Sequence, residues 1–243
     1  MRQGMAHALL AARRAGRAVV LYTPLDGGVQ RLLDADGLDL LALTEPGLAA
    51  AGREALASDR VQLVGEGAGE VMVTPHNPPL RMIIVGAVHI SEALCTMARE
   101  AGYGVTVIDP RAAFLRPGRF PGVTLVNEWP REAMAQLAPD SRTAVVLLTH
   151  DPKIDDPALL AVLQSPAFYI GALGSTRTHA KRLQRLTEAG VSEELQERIH
   201  GPAGLAIGAR TPAEIAISVL AQITQRLRVS PGAVPKGAEA SAQ

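Results

Sequence analysis

From residue 80 onward the chain alternates short apolar runs with stretches whose apolar residues recur every three or four positions. Residues 80–85 read as a strand. Ile90, Ala93, Leu94, Met97, Ala98 and Ala101 then follow at helical spacing until Gly102 stops the helix. Residues 105–108 and 123–126 read as further strands, 131–138 as a short helix and 143–148 as another apolar strand. Asp156-Pro157 reads as a cap with a first-turn proline, opening a helix to about residue 165. Residues 168–171 read as a strand and 177–189 as a basic helix ended by Gly190. Thr211-Pro212-Ala213-Glu214 is a capping box, and the helix it opens carries Ile215, Val219, Leu220, Ile223 and Leu227 on one face. Strands apolar along their whole length, separated by helices, predict a parallel sheet covered on both faces. The expectation is an α/β chain with a Rossmann-like doubly wound parallel sheet over residues 80–228.

Before residue 75 the pattern is weaker. Residues 5–15 read as a helix ended by Gly16, 18–22 as a strand, Asp26-Gly27-Gly28 as a turn and 29–33 as a return strand. A helix over 46–58 and short strands at 61–64 and 70–74 complete a smaller mixed α/β domain, 1–74. The three prolines of Pro75-His76-Asn77-Pro78-Pro79 predict an extended linker at 75–79. The Pro, Gly, Ala and Ser of residues 229–243 predict a disordered tail.

Composition narrows the function. Lys+Arg and Asp+Glu both total 24, so no net charge gathers nucleic acid, and 3% aromatic residues offer few stacking platforms. The apolar runs are too short to span a bilayer. Residues 1–20 lack the apolar stretch and cleavage site of a signal peptide, so a cytoplasmic location is expected. Cys95 is the single cysteine, which excludes an intrachain disulfide and reads best as a small core residue.

Four segments carry candidate chemistry. Gly86, Ala87, Val88 and His89 form a turn where a dinucleotide fingerprint would sit, and Asp109 ends the next strand where a ribose-binding acid would fall. The fingerprint is incomplete, because Val88 replaces its second glycine and Ser91 its third position. NAD(P) binding is therefore disfavoured, and Asp109 serves equally well as a solvated strand end. Thr149, His150 and Asp151, followed by Asp155 and Asp156, lie at the carboxyl end of an apolar strand. They suit acid–base or metal chemistry, or simply the capping of the next helix; no closed metal-ligand set is visible. Gly171, Gly174, Ser175, Arg177, Thr178 and His179 open a helix that adds Lys181, Arg182 and Arg185. Glycines, hydroxyls and a helix start make an anion cradle, the alternative being a capped turn. His200, Gly201 and the glycines to Gly208 form a tight loop that closes a pocket or only turns the chain.

Taken in order, four stretches resemble the xanthine dehydrogenase accessory protein family, which includes relatives encoded with carbon monoxide dehydrogenase. They are Ile84-Val85-Gly86-Ala87-Val88-His89-Ile90, Leu148-Thr149-His150-Asp151-Pro152 with Asp155-Asp156-Pro157, Phe168 through Ser175, and Ile199-His200-Gly201-Pro202 through Ala216. The resemblance runs from about residue 70 to 228. It implies a small domain before a Rossmann domain, commonly as a homodimer. It also implies a maturation factor, or chaperone, that binds molybdenum cofactor (molybdopterin or its cytosine dinucleotide). Such a factor protects the cofactor while its sulfido ligand is installed and passes it to an apo molybdenum hydroxylase, with a cysteine desulfurase as a further partner. The alternative is an NAD(P)-dependent oxidoreductase. The chain departs from the family pattern in having no glycine- and cysteine-containing motif in residues 1–79, and in carrying Val88, Ala206 and Gln222 where many relatives have Gly, Asp and Glu.

Overall fold

Strands without a polar face must be covered twice, and the computed structural model of the protein, which describes residues 3–229, shows how that is done. The chain divides into two units, Met1–Pro78 and Pro79–Gln243.

The first unit runs α1 (Gln3–Arg14), β1 (Val19–Pro24), β2 (Arg31–Leu33), α2 (Ala35–Ala42), α3 (Pro46–Ser58), β3 (Gln62–Val64) and β4 (Val71–His76). Its strands form an antiparallel sheet in the order β2-β1-β4-β3. Val20, Tyr22 and Val73 from the sheet bury against Leu38 and Leu41 of α2 and Ala49 and Ala55 of α3. The sequence pattern did not pick out α2. Its signal was present: Asp34 caps the helix by accepting from the Gly37 amide at 3.2 Å, and Leu38 and Leu41 are three residues apart on the buried side. Pro75 and His76, read from the sequence as part of a linker, are the last two residues of β4 and pair with Val20 and Val19.

The second unit runs β5 (Arg81–Val85), α4 (His89–Glu100), β6 (Gly104–Ile108), β7 (Thr124–Val126), α5 (Pro130–Leu137), β8 (Thr143–Leu147), α6 (Pro152–Val162), β9 (Tyr169–Ala172), α7 (Thr176–Glu188), α8 (Glu193–Gln196), β10 (Ile199–His200) and α9 (Pro212–Arg228). All six strands are parallel, in the order β10-β9-β8-β5-β6-β7. By chain order that is 6-5-4-1-2-3, the doubly wound Rossmann arrangement, with its switch point between β5 and β8. Alternate residues of each strand face opposite cores. Met82 and Ile84 join Ala144 and Val146 beneath Leu94 of α4 and Val219 and Ile223 of α9. Ile83 and Val85 join Val145 and Leu147 beneath Met134 of α5 and Leu159 of α6. Each fully buried Val or Ile stabilises the fold by about 1.5–3 kcal/mol, so the two-sided cover accounts for the unbroken apolar strands. Among the described residues no helix is long and apolar enough to cross a membrane. The tail expected over 229–243 lies, apart from Val229, outside the described residues.

One helix starts earlier than its sequence signature. Two Asp-Pro pairs sit five residues apart, and the first opens α6: Asp151 is the cap, accepting from the Lys153 amide at 3.0 Å, while Pro157 lies inside the helix. Burial decides between the equivalent signals. The earlier start places Ile154 in the core and Asp155 against Thr149.

Gly171 is in a strand, as the sequence reads it. It lies inside β9, where a Cβ would stand 2.6 Å from the Tyr169 ring that leans across it. Tyr169 in turn donates to Gln222 of α9 at 2.6 Å. Gly171→Ala is expected to push the ring off this bond and to destabilise the unit by about 1–3 kcal/mol, the usual range for overpacking. Urea denaturation of the variant checks it; an unchanged midpoint would show that the ring moves aside freely.

Candidate functional site

In a doubly wound sheet, loops at the carboxyl ends of the strands flank the switch point, and the four candidate segments meet there through side-chain contacts. Gly86, at φ +109°, has the Thr149 backbone and methyl group where its Cβ would be, at 3.2 and 2.6 Å. The Thr149 hydroxyl donates to Asp155 Oδ1 at 2.6 Å, and Asp155 Oδ2 lies 4.0 Å from Arg182 Nη2. Arg182 Nη1 is 3.5 Å from His179 Nδ1, and the His179 ring occupies the space that a Cβ on Gly201 would need. The chain of contacts thus runs from the β5 turn, across the β8 and β9 loops, to the loop after β10.

In the β5 turn the amides and carbonyls are largely committed. The Ala87 amide donates to Asp109 Oδ2 at 2.8 Å, and the Ala87 carbonyl accepts from Arg119, which also grips Glu92. Val88 is the N-cap of α4 and packs its isopropyl group against the core cluster; its amide donates to Ser91 Oγ. The isopropyl group is therefore half-buried against the core. His89 is exposed, 3.5 Å from Glu92.

Asp109 is a brace, buried and not the solvated strand end that is one of its two readings from the sequence. Its carboxylate is fully buried and receives four donors: the Arg111 amide and Nε on Oδ1, and Arg111 Nη2 and the Ala87 amide on Oδ2, all at 2.8–2.9 Å. A carboxylate has about four acceptor sites, so none is left for a sugar hydroxyl. Burial pushes its pKa up, but the hydrogen bonds from Arg111 and the Ala87 amide outweigh that and hold it below the ordinary value. Arg111 escaped the sequence reading although it lies only two positions beyond Asp109.

The β8 loop is strained. His150 is exposed and holds φ +61°, a left-handed conformation uncommon for a residue with a side chain. Asp151 is used as the α6 cap. Asp155, 2% exposed, has its pKa raised by burial despite the Thr149 hydroxyl and the nearby Arg182 and His150 charges.

The β9 loop is only partly the expected cradle. Gly174 takes φ +144°, and the Ser175 hydroxyl caps α7 by accepting from the Thr178 amide at 3.1 Å, with the Thr178 hydroxyl 3.0 Å away. Those hydroxyls are used internally. Beyond them the lining is cationic. Between α6 and α7 lies a cavity of about 320 Å³ lined by His150, Asp155, Arg177, Lys181, Arg182 and Arg185, with Pro152 and Thr178. Arg185 forms a two-pronged pair with Asp156 at 2.6 and 2.9 Å. Arg177 and Lys181 have no ion-pair partner among the described residues. Arg182 is 2% exposed, with its pKa lowered chiefly by burial, and was legible only as a charge four positions before Leu186 on the buried stripe.

At the end of β10, His200 stacks on Tyr169, ring centroids 4.8 Å apart and planes 9° from parallel, and burial lowers its pKa. Gln222 Oε1 accepts from Tyr169 and from the Gly204 amide at 2.8 Å, so a neutral acceptor suffices at this position. Among the described residues no three His, Cys, Asp or Glu side chains gather as a metal site. Cys95 is buried in the α4 core, and burial pushes its thiol up to about 12.

Comparison with known proteins accords with this architecture. A model of the XdhC Rossmann domain matches residues 82–223. The chain is 34% identical over 211 residues to YqeB of Escherichia coli K12, covering 85% of this chain and 38% of that protein. It is 36% identical over 146 residues to the molybdenum cofactor insertion chaperone PaoD of the same organism, covering 60% and 40%. It is 32% identical over 155 residues to a probable xanthine dehydrogenase subunit of Bacillus subtilis 168, covering 63% and 45%. The chain thus spans about two fifths of the length of these curated relatives. A solved structure described as a xanthine dehydrogenase from Bacillus halodurans superposes with a TM-score of 0.69 at 21% identity, covering 96% of this chain and 66% of that one. At that identity the likeness speaks for the fold.

The brace at Asp109 generates a pH-dependent expectation. A carboxylate whose folded pKa is depressed stabilises the fold fully above its unfolded pKa, roughly 3.9, and ceases to do so as pH falls through the folded value. Asp109→Asn, which sets an amide against the same four donors, is expected to cost about 3 kcal/mol at pH 7. The gap between variant and native protein should narrow below about pH 4. Urea unfolding across pH measures both; a gap independent of pH would mean that the charge contributes nothing.

Proposed function

The chain belongs to the XdhC Rossmann-domain family, and from that membership we propose that it is a maturation factor. It holds molybdenum cofactor at the carboxyl edge of its parallel sheet and passes it to an apo molybdenum hydroxylase of the xanthine dehydrogenase or carbon monoxide dehydrogenase type. The observation that carries the reading is the convergence of the β5, β8 and β9 loops beside a cavity whose Arg177 and Lys181 have no ion-pair partner among the described residues. The name of one relative, a molybdenum cofactor insertion chaperone, supports the choice of cofactor.

The residues present fit part of the cofactor. Cations at a sheet edge suit its phosphate, whereas the buried Cys95 thiol is no thiolate for its metal. The chain therefore grips the organic and phosphate portion. When bound, the cofactor supplies the molybdenum centre on which the client enzyme's chemistry depends. The chain's own residues bind the phosphate, orient the molecule against the Gly86–Thr149 turn and release it. The exposed, strained His150 lies at the lip of the cavity, where a client would meet it.

A nicotinamide dinucleotide is the second reading, favoured by the strand order and the position of the glycine turn. The saturated carboxylate of Asp109 weighs against it, because the contact that fixes a ribose in such folds is already spent on Arg111 and Ala87.

Protein produced in cells that make the cofactor is expected to copurify with molybdenum and with an oxidisable pterin. A ligand at 100 times its Kd raises stability by about 2.7 kcal/mol, so thermal unfolding reports binding as well. NAD(H) at millimolar concentration should leave the midpoint unchanged. Absence of molybdenum and pterin together with a clear NAD(H) shift would sink the cofactor reading in favour of the dinucleotide.

A further inference from the structure

The cavity between α6 and α7 contains a buried arginine that the protein satisfies only in part. The Arg182 side chain is 2% exposed, yet Nη2 has a single close acceptor, the Leu173 carbonyl at 2.8 Å. Nη1 faces His179 Nδ1 at 3.5 Å, its carboxylate counterion Asp155 stands 4.0 Å off, and Nε has no acceptor among the described residues. Desolvating a guanidinium is costly unless partners surround it, and breaking or stretching a buried pair leaves that cost uncompensated. Depression of the Arg182 pKa and elevation of the Asp155 pKa, both led by burial, are consistent with a pair that does not fully neutralise itself.

The rest of the lining adds to the deficit. Arg185 is neutralised by Asp156, but Lys181 and Arg177, one and two turns nearer the helix start, bring two positive charges with no ion-pair partner among the described residues. Among the described residues Asp155 is the one carboxylate that lines the cavity. At about 320 Å³ the space lies at the lower end of ligand pockets, room for a phosphoryl group and a few adjoining atoms rather than a whole cofactor. A phosphate monoester carries about −1.5 to −2 at neutral pH and offers three strong acceptor oxygens. Two uncompensated cations and an arginine short of acceptors match it in charge and in hydrogen bonding.

We propose that this cavity is a phosphate-monoester site, in which Arg177 and Lys181 draw the dianion in from solvent and Arg182 forms the floor that accepts it. The inference rests on the cofactor reading in one respect: the monoester would be the terminal phosphate of molybdopterin itself, rather than the bridging pyrophosphate of its dinucleotide. It moves the anion from the Gly174–Ser175 turn, whose hydroxyl already caps α7, to the cavity between α6 and α7.

Calorimetric titration of the full chain with glycerol phosphate, inorganic phosphate and dimethyl phosphate tests it. Saturable binding of the two dianions is expected, with the diester at least tenfold weaker. A charge-assisted hydrogen bond is worth roughly tenfold or more in affinity, so Arg177→Ala and Lys181→Ala should each weaken glycerol phosphate about tenfold and together about a hundredfold. Both residues are outside the core, so these variants should fold, and circular dichroism confirms it. Arg182→Lys, which retains the charge but loses the fork, should weaken binding, with circular dichroism checking that the variant is folded. Arg131→Ala, an exposed change on α5, is the control and should bind as the native chain does. Undiminished binding by the Arg177→Ala, Lys181→Ala double variant, or equal binding of monoester and diester, overturns the site. If the chain retains molybdenum and pterin but no phosphate monoester binds, the site fails and the cofactor reading stands. If the monoester binds with the expected variant pattern and no cofactor is retained, the site stands and the cofactor reading fails.

Discussion

A parallel sheet covered by helices on both faces has no face left for chemistry, and that constraint shapes everything else in the second unit. Ile83 and Ile84 are neighbours in β5 yet serve opposite cores, and the same alternation runs through β8. Polar function is pushed to the strand ends, where the chain must leave the sheet and turn. The reversal of strand order between β5 and β8 then parts the loops on either side and opens a crevice at the carboxyl edge. The crowding of Gly86 against Thr149 is a direct outcome of those two strands lying side by side.

Two buried carboxylates at that edge show how differently a fold can treat a charge. Asp109 has four close donors, and its partner Arg111 reaches it with both prongs, so the pair is closed and rigid. It fixes the β5 turn and offers nothing outward. Asp155 has the Thr149 hydroxyl on Oδ1, a backbone hydrogen bond from His150 and a guanidinium at 4.0 Å, and the arginine beyond it is short of acceptors. In a low-dielectric setting the first arrangement stabilises the turn, while the second leaves the guanidinium only partly satisfied. The proposed anion site rests on this contrast more than on the glycine pattern.

Several residues that look like ligand contacts in a linear reading are spent on the protein itself. Ser175 caps α7, Asp151 caps α6, and Gly171 and Gly201 make room for the rings of Tyr169 and His179. Their residue types suit both roles equally. A serine before a helix satisfies the orphan amides of the first turn as readily as it would a phosphate, and a glycine can admit a neighbouring side chain as well as a ligand. The residues left over, Arg177 and Lys181, are identified by what they lack, and a missing partner is invisible until the neighbours are placed.

The sequence by itself determined the class of fold. Unbroken apolar runs at 82–85 and 144–148 can be satisfied only by two-sided burial, and helical spacing between them dictates parallel crossovers. The capping box at Thr211 likewise marks the last helix without reference to anything distant. These are local or periodic signals, carried by a few adjacent residues. Tertiary structure alone decided which Asp-Pro pair opens α6, because both pairs satisfy the same local rule and only the burial of Ile154 and the Thr149–Asp155 bond separates them. It also decided that Asp109 is closed and the α6–α7 cavity open. Those outcomes depend on residues brought together from separate strands and helices, such as Asp155 with Arg182. Distances of that kind arise from the packing of the whole sheet, and no spacing along the chain encodes them.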